Sequence, residues 1–116
     1  MALFTDRVTG AVEAGLDAVA LRQRVIADNI ANAETPGFRA RRVTFEESLA
    51  AALEAGTPEA ATAAIVDAGT EPNGVGNTVQ LEQEVAGLVK SGLQYDALVA
   101  ALNYKLGLLR TAIEGR

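Results

Sequence analysis

An all-α fold is predicted: two long terminal helices that pack as a coiled-coil-like antiparallel pair, with a short helix and an irregular connector between them. Three observations carry this reading. Apolar residues recur in alternating steps of four and three at both ends of the chain, and helix breakers gather in the middle. Aromatic residues are too few for a wide core, with three Phe, two Tyr and no Trp in 116 residues, which favours helices packed along narrow seams. The whole chain is read as one domain, divided into an N-terminal helix over 1–34, a turn, short helix and flexible connector over 35–78, and a C-terminal helix over 79–114.

In the first helix Val12, Leu16, Val19, Gln23, Ile26, Ile30 and Ala33 form the seam, and only Gln23 is polar. Thr5 or Asp6 is the candidate cap at its start. The stop is better defined. Pro36 disfavours helical backbone at Thr35, and Pro36-Gly37 fits the centre of a type II turn, so the helix is expected to end near Ala33 or Glu34.

Thr44-Phe45-Glu46-Glu47 has the spacing of a capping box, and Phe45, Leu49 and Ala52 or Leu53 follow at helical intervals, predicting a short helix from about Phe45 to Ala55. Beyond it, 57–66 is Ala-rich and 67–77 holds Gly69, Pro72, Asn73, Gly74, Gly76 and Asn77, the composition of a connector. The last segment carries the strongest periodicity: Leu81, Val85, Leu88, Gly92, Tyr95, Val99, Leu102, Leu106, Leu109 and Ile113. Asn77 followed by Gln80 is the candidate cap at its start, and Gly115 follows its end. Neither long helix is expected to persist alone in water, so both need partners.

Composition excludes several functions. With no Cys and no His, thiol chemistry, the usual zinc ligands and the commonest general base are all missing. The net charge of −5 comes with a single basic cluster, Arg39, Arg41 and Arg42, which argues against nucleic acid as a partner. No window has the length of uncharged apolar sequence that membrane insertion requires, and Asp6, Arg7, Glu13 and Asp17 break up any secretory-type apolar run. The close carboxylate pairs, Glu46 with Glu47 and Glu82 with Glu84, are neighbours that point to different helix faces. No catalytic, cofactor or metal site is expected.

Other residues bear on assembly. Asn29 and Asn32 sit in the last turns of the first helix, where Asn has no advantage over Ala. Either they cap terminal carbonyls, or they form a polar lock that fixes how the turn docks on a neighbouring helix. Arg39 and Arg41 share one face of an extended segment while Arg42 takes the other, a pattern suited to solvated or intersubunit ion pairing more than to anion binding. Gly87, Gly92 and Gly107 each weaken the last helix, which points to close helix approach or a bend.

The run from Asn29 to Ala40, with Asn29, Asn32, Thr35, Pro36, Gly37 and Phe38 as its marked positions, resembles the N-terminal signature of the bacterial flagellar axial proteins, the rod and hook family. Phe45-Glu46 with Leu49, the stretch from Pro72-Asn73-Gly74 to Glu84, Gln94-Tyr95, and Lys105 to Ile113 resemble further parts of its short rod members. The larger members carry a β-rich insert between the terminal helices, and here only 35–78 separates them.

The resemblance implies a structural subunit of the proximal rod, which transmits torque from the MS ring towards the hook. It implies assembly with other copies of the chain, with other rod proteins and with MS-ring/rod junction proteins. It also implies export by the flagellar type III apparatus to a periplasmic rod without signal cleavage, and no enzymatic activity. Val12, Leu16, Val19, Ile26, Ile30, Leu81, Val85, Leu88, Tyr95, Leu102, Leu106 and Leu109 are then expected to pack helices within and between subunits. The alternatives are the second short proximal rod protein of the family, or a small coiled-coil adaptor or export chaperone.

Overall fold

The computed structural model describes residues 2–115, with side chains from Arg7 onward. Helix α1 spans Ala2–Ala31, strand β1 Arg41–Thr44, helix α2 Glu46–Glu54, a 3₁₀ turn Pro58–Ala60, strand β2 Ala64–Asp67, and helix α3 Leu81–Glu114. The molecule is an elongated slab, 64 × 28 × 13 Å, because α1 and α3 run its length side by side. They are antiparallel: Asn29 reaches Glu84, Gly87 faces Ile26, and Gly15 faces Leu98.

The two long helices match expectation closely. Helix α1 stops at Ala31, two to three residues before the expected end, and Asn32 Nδ2 donates to Asp28 O at 2.9 Å, covering one of its last carbonyls. The turn then forms at Pro36-Gly37: Phe38 N donates to Thr35 O, and Gly37 takes φ +75°, which a side chain would strain. At the other end the helix already runs at Ala2, so Thr5 and Asp6 stand inside it and not at its cap.

The middle departs from the all-α expectation. β1 and β2 form an antiparallel ribbon with Arg41 opposite Asp67 and Thr44 opposite Ala64. This ribbon explains a second correction. Thr44 belongs to β1, where its hydroxyl meets Ala64 O, so the capping box never forms; Phe45 is the N-cap residue of α2 and makes no side-chain cap. The Phe45 ring is buried instead, in the core with Ala18, Val19, Val25, Ile26, Ala40, Val43 and Ala52. The core thus lies on two sides of α1, one against α3 and one against the ribbon and the 3₁₀ turn. On the open side of α1 the polar Glu13, Asp17 and Arg24 stay exposed.

Arg22 binds the layers together. Its Nη2 donates to Val43 O at 3.0 Å and pairs with the Glu46 carboxylate at 2.8 Å, joining α1, β1 and α2. The hydrogen bond from Arg22 holds the Glu46 carboxyl below its ordinary value of 4.5. A carboxyl lowered on folding contributes stability that is present above its unfolded value and is lost as pH falls through the folded value. Glu46 is largely exposed, so water screens the pair and its contribution is about 1 kcal/mol or less. Urea unfolding followed by circular dichroism is therefore expected to show Glu46→Gln less stable than the parent at neutral pH. The gap closes as pH falls below about 4.5.

Candidate functional site

Two features of the surface and interior carry functional interest: a polar latch where α1 ends and α3 begins, and the open face of α3. The latch starts from Asn29, the largest fully buried side chain. Its Nδ2 donates to Arg41 O at 2.8 Å and to Glu84 Oε2 at 3.0 Å, and its Oδ1 accepts from Arg41 N at 3.1 Å. One amide therefore pairs with both backbone groups of Arg41 as a strand would, and ties that strand to α3. Of the two readings of the Asn pair, Asn29 takes the polar lock and Asn32 the terminal cap.

Asn77 completes the latch from the other side. Also fully buried, it donates from Nδ2 to Asn32 O at 2.9 Å and Thr35 O at 2.7 Å, and its Oδ1 accepts from Val79 N at 2.8 Å. Its place is set by Asn73, whose side-chain oxygen accepts from Val75 N and Asn77 N. Next to it, buried Thr78 donates its backbone N–H to Phe38 O and accepts from Ala40 N through its hydroxyl. Gly37 N donates to Val75 O, and Gly76 lies against Gly37 with no side chain between the two backbones. The stretch expected to be an irregular connector is in this way fastened residue by residue to the turn after α1.

This corrects the expected role of Asn77. It is not the cap of α3, which starts at Leu81 behind Gln80 with no side-chain cap bond; it spends its amide on the carbonyls of the opposite turn. The clue in the sequence was its company, since Pro72-Asn73-Gly74 and Gly76-Asn77 form a compact turn whose buried end needs an amide to close it. Thr35 itself donates to Asn32 Oδ1, Pro36 is exposed, and Phe38 is half-buried.

Two of the three arginines of the basic cluster form ion pairs within the chain, and Arg42 is exposed. Arg39 Nε and Nη2 grip the Asp67 carboxylate at 2.7 and 3.2 Å, and Arg41 pairs with Asp28 at 2.7 Å. The hydrogen bond from Arg39 lowers the Asp67 carboxyl, which a bond from Gly69 N lowers further, and Asp67 in turn raises Arg39. Among the described residues no group of His, Cys, Asp or Glu is placed to hold a metal ion, and no helix is long and apolar enough to cross a membrane.

The unexposed residues of α3 are Glu84, Gly87, Ser91, Gly92, Gln94, Leu98, Val99, Leu102, Lys105 and Leu109; of these Glu84, Gly87, Gly92 and Leu98 lie against Asn29, Ile26, Gln23 and Gly15 of α1, and Ser91 is the most buried. Over its first half this seam is one residue out of step with the expected one, about 100° around the helix. The reason is size. A Cβ on Gly87 would lie 3.4 Å from Ile26, so small residues face α1 and let it approach. Val19 and Ile26 of the expected seam are buried, and Val12, Leu16, Ile30, Leu102 and Leu109 are half-buried. Leu81, Val85, Leu88, Tyr95 and Leu106 stay exposed along one flank of α3. A second exposed row, Val89, Leu93, Tyr104 and Leu108, lies on the far side.

The sequence model of the family described as Flagella basal body rod protein matches residues 13–39. The flagellar basal body rod protein FlgB of Aeromonas hydrophila is 32% identical over 99% of this chain and 98% of its own length. The chain belongs to the FlgB family. FlgB of Bacillus subtilis is 28% identical over 99% of this chain and 98% of its own, and FlgB of Cereibacter sphaeroides 33% identical over 81% and 84%. The FlgB name carried by these full-length relatives sets aside the other short rod protein, FlgC, as the family of this chain. The matched stretch of the family model covers the second half of α1 and the turn, and so includes the Asn29 side of the latch.

Removing Asn77 breaks three hydrogen bonds across the latch, those to Asn32 O and Thr35 O and the one that pairs Val79 N, whereas Asn32→Ala removes only the local bonds to Asp28 and the Thr35 hydroxyl. Asn77→Ala is expected to cost about 2–4 kcal/mol in urea unfolding, and Asn32→Ala about 1 kcal/mol. Equal costs would place the latch elsewhere.

Proposed function

We propose that this chain is a structural subunit of the proximal flagellar basal body rod, polymerising through its terminal helices into the shaft that carries torque from the MS ring towards the hook. Membership of the FlgB family supports the rod, and one observation carries the mode of assembly: α3 is apolar on its outer sides and buries only one face within the chain. A helix with large apolar residues on more than one side needs more than one partner, and the chain alone offers α3 a single one. Neighbouring subunits supply the rest.

In this reading the partners are other copies of the chain, other rod proteins and MS-ring/rod junction proteins. The flagellar type III apparatus delivers the chain without signal cleavage to a periplasmic position. The latch keeps α1 and α3 in register while the outer rows of α3 are covered. Stiffness then comes from close packing along continuous helices. The role is structural, with no chemistry asked of any residue.

Val85→Asp combined with Leu106→Asp places two charges on the exposed flank of α3 without touching α1. The expected result is a chain that keeps its helical circular dichroism but fails to restore swimming or to enter purified basal bodies. Normal swimming would contradict packing through this flank. Single cysteines at Ala11, Ala33 and Ala97, cross-linked in intact basal bodies, identify the neighbours: MS-ring junction proteins and short rod subunits for a proximal place, distal rod subunits alone for a place farther along.

A further inference from the structure

Of the asparagines in the chain, only Asn73 is followed by glycine. The pair lies on the exposed turn that supports the latch, with open space around Gly74. Asn-Gly is the dipeptide in which a side-chain amide is lost most readily, because glycine puts no side chain beside the backbone nitrogen that attacks it and resists rotation least. Gly74 N–H and Asn73 Nδ2, the attacking and leaving groups of that reaction, have no hydrogen-bond partner among the described residues. Asn73 is held at each of its other polar atoms. Its N donates to Asn77 O at 2.8 Å, its O accepts from Gly76 N at 3.0 Å, and its Oδ1 accepts from Val75 N and Asn77 N, both at 3.0 Å.

We propose that Asn73-Gly74 is a spontaneous deamidation site that the closed latch restrains, and that its isoaspartyl product prevents an opened latch from closing again. In the reaction Gly74 N forms a bond to Asn73 Cγ, the Cγ–Nδ2 bond breaks, and ammonia leaves with the proton from Gly74 N. The product is a succinimide ring. Water then opens it: attack at Cγ gives aspartate, and attack at the backbone carbonyl carbon of residue 73 gives isoaspartate, in which the chain continues through Cβ and Cγ. Water is the sole co-reactant.

The restraint follows from the hydrogen bonds. Ring closure requires the Asn73 side chain and backbone to rotate until Cγ reaches Gly74 N, and the bonds to Val75, Gly76 and Asn77 oppose that movement while the turn is formed. Opening the latch frees them together, because Asn77, which supplies both an N–H and a carbonyl to Asn73, is the residue whose amide closes the latch. The two products then behave differently. Aspartate keeps an oxygen where Oδ1 stood, and its charge strengthens the bonds from Val75 N and Asn77 N. Isoaspartate adds a methylene to the backbone and leaves its carboxylate on Cα, so the two bonds are not re-made and Asn77 loses its support. A chain that has aged with its latch open thus loses the register of α1 and α3 for good. This site rests on the latch and is independent of the rod reading.

Full-length chain is incubated at mildly alkaline pH in buffer and in urea. The peptide holding Asn73 is followed by mass spectrometry for the exchange of amide for carboxyl, and isoaspartate by a methyl-transfer assay specific for it. Deamidation in urea is expected to be at least about tenfold faster than in the folded chain. Asn77→Ala, with its latch loosened, is expected to react faster than the parent in buffer. Gly74→Ala, which has room for the added methyl group, is expected to slow the reaction in urea. A parent chain that stays intact in urea, or a Gly74→Ala chain that reacts as fast as the parent there, overturns the site. Equal parent rates in buffer and urea, or an Asn77→Ala rate no higher than the parent's, overturn the latch as its restraint.

The consequence for the latch is read separately. Isoaspartyl chain purified from the urea reaction and returned to buffer is expected to unfold at lower urea than the parent, while Asn73→Asp unfolds with the parent. An isoaspartyl chain as stable as the parent overturns the block on closing.

Discussion

Much of this structure depends on satisfying one buried amide. Asn29 sits where α1 meets both the β1 strand and α3, shut off from water, and both its amide N–H groups and its amide oxygen are paired, with Arg41 and Glu84. Such a group fixes geometry because any slip of its neighbours leaves polar atoms unpaired in a dry place. Asn77 repeats the constraint from the opposite side on the carbonyls of Asn32 and Thr35. Between them the end of α1 and the start of α3 have one arrangement available.

That arrangement decides which face α3 gives to α1. With the register pinned at Asn29 and Glu84, Gly87 and Ser91 fall against α1, and the helices approach over small side chains. The bulkier apolar residues are thereby turned outward, on both flanks of α3. In a monomer this is an unfavourable distribution of apolar surface. In the rod assembly proposed above it is a division of labour: hydrogen bonds define the subunit, and apolar area is kept for its neighbours.

The sequence disclosed the parts of this whose signals are local. Helix α1, the Pro36-Gly37 turn and α3 follow from periodicity and backbone preference, and each is found within about three residues of its expected bounds. The β1–β2 ribbon was not legible, because its four-residue strands are separated by α2 and the 3₁₀ turn and no hairpin signature joins them. Thr44 looked like a cap because a capping box and a strand end can share the same letters. The phase of the α3 seam was missed for a different reason. When a helix is apolar on several sides, the strongest heptad row shows where most apolar area lies, and not which partner takes it. Asn77 could be read as polar and turn-prone, but its partners lie some 40 residues away in the chain.

In the proposed rod the latch is complete within one chain, and the outer rows of α3 are completed only by assembly. Thiol labelling compares the two directly, with single cysteines at Val85 and Leu93 on the two outer rows and at the exposed Asp17 of α1 as reference, read in purified chain and in intact basal bodies. The account predicts fast labelling at all three sites in the free chain, and strong protection of both α3 sites in the basal body. Equal labelling of Val85→Cys and Leu93→Cys in the two states would mean that α3 remains open in the rod, and would contradict it.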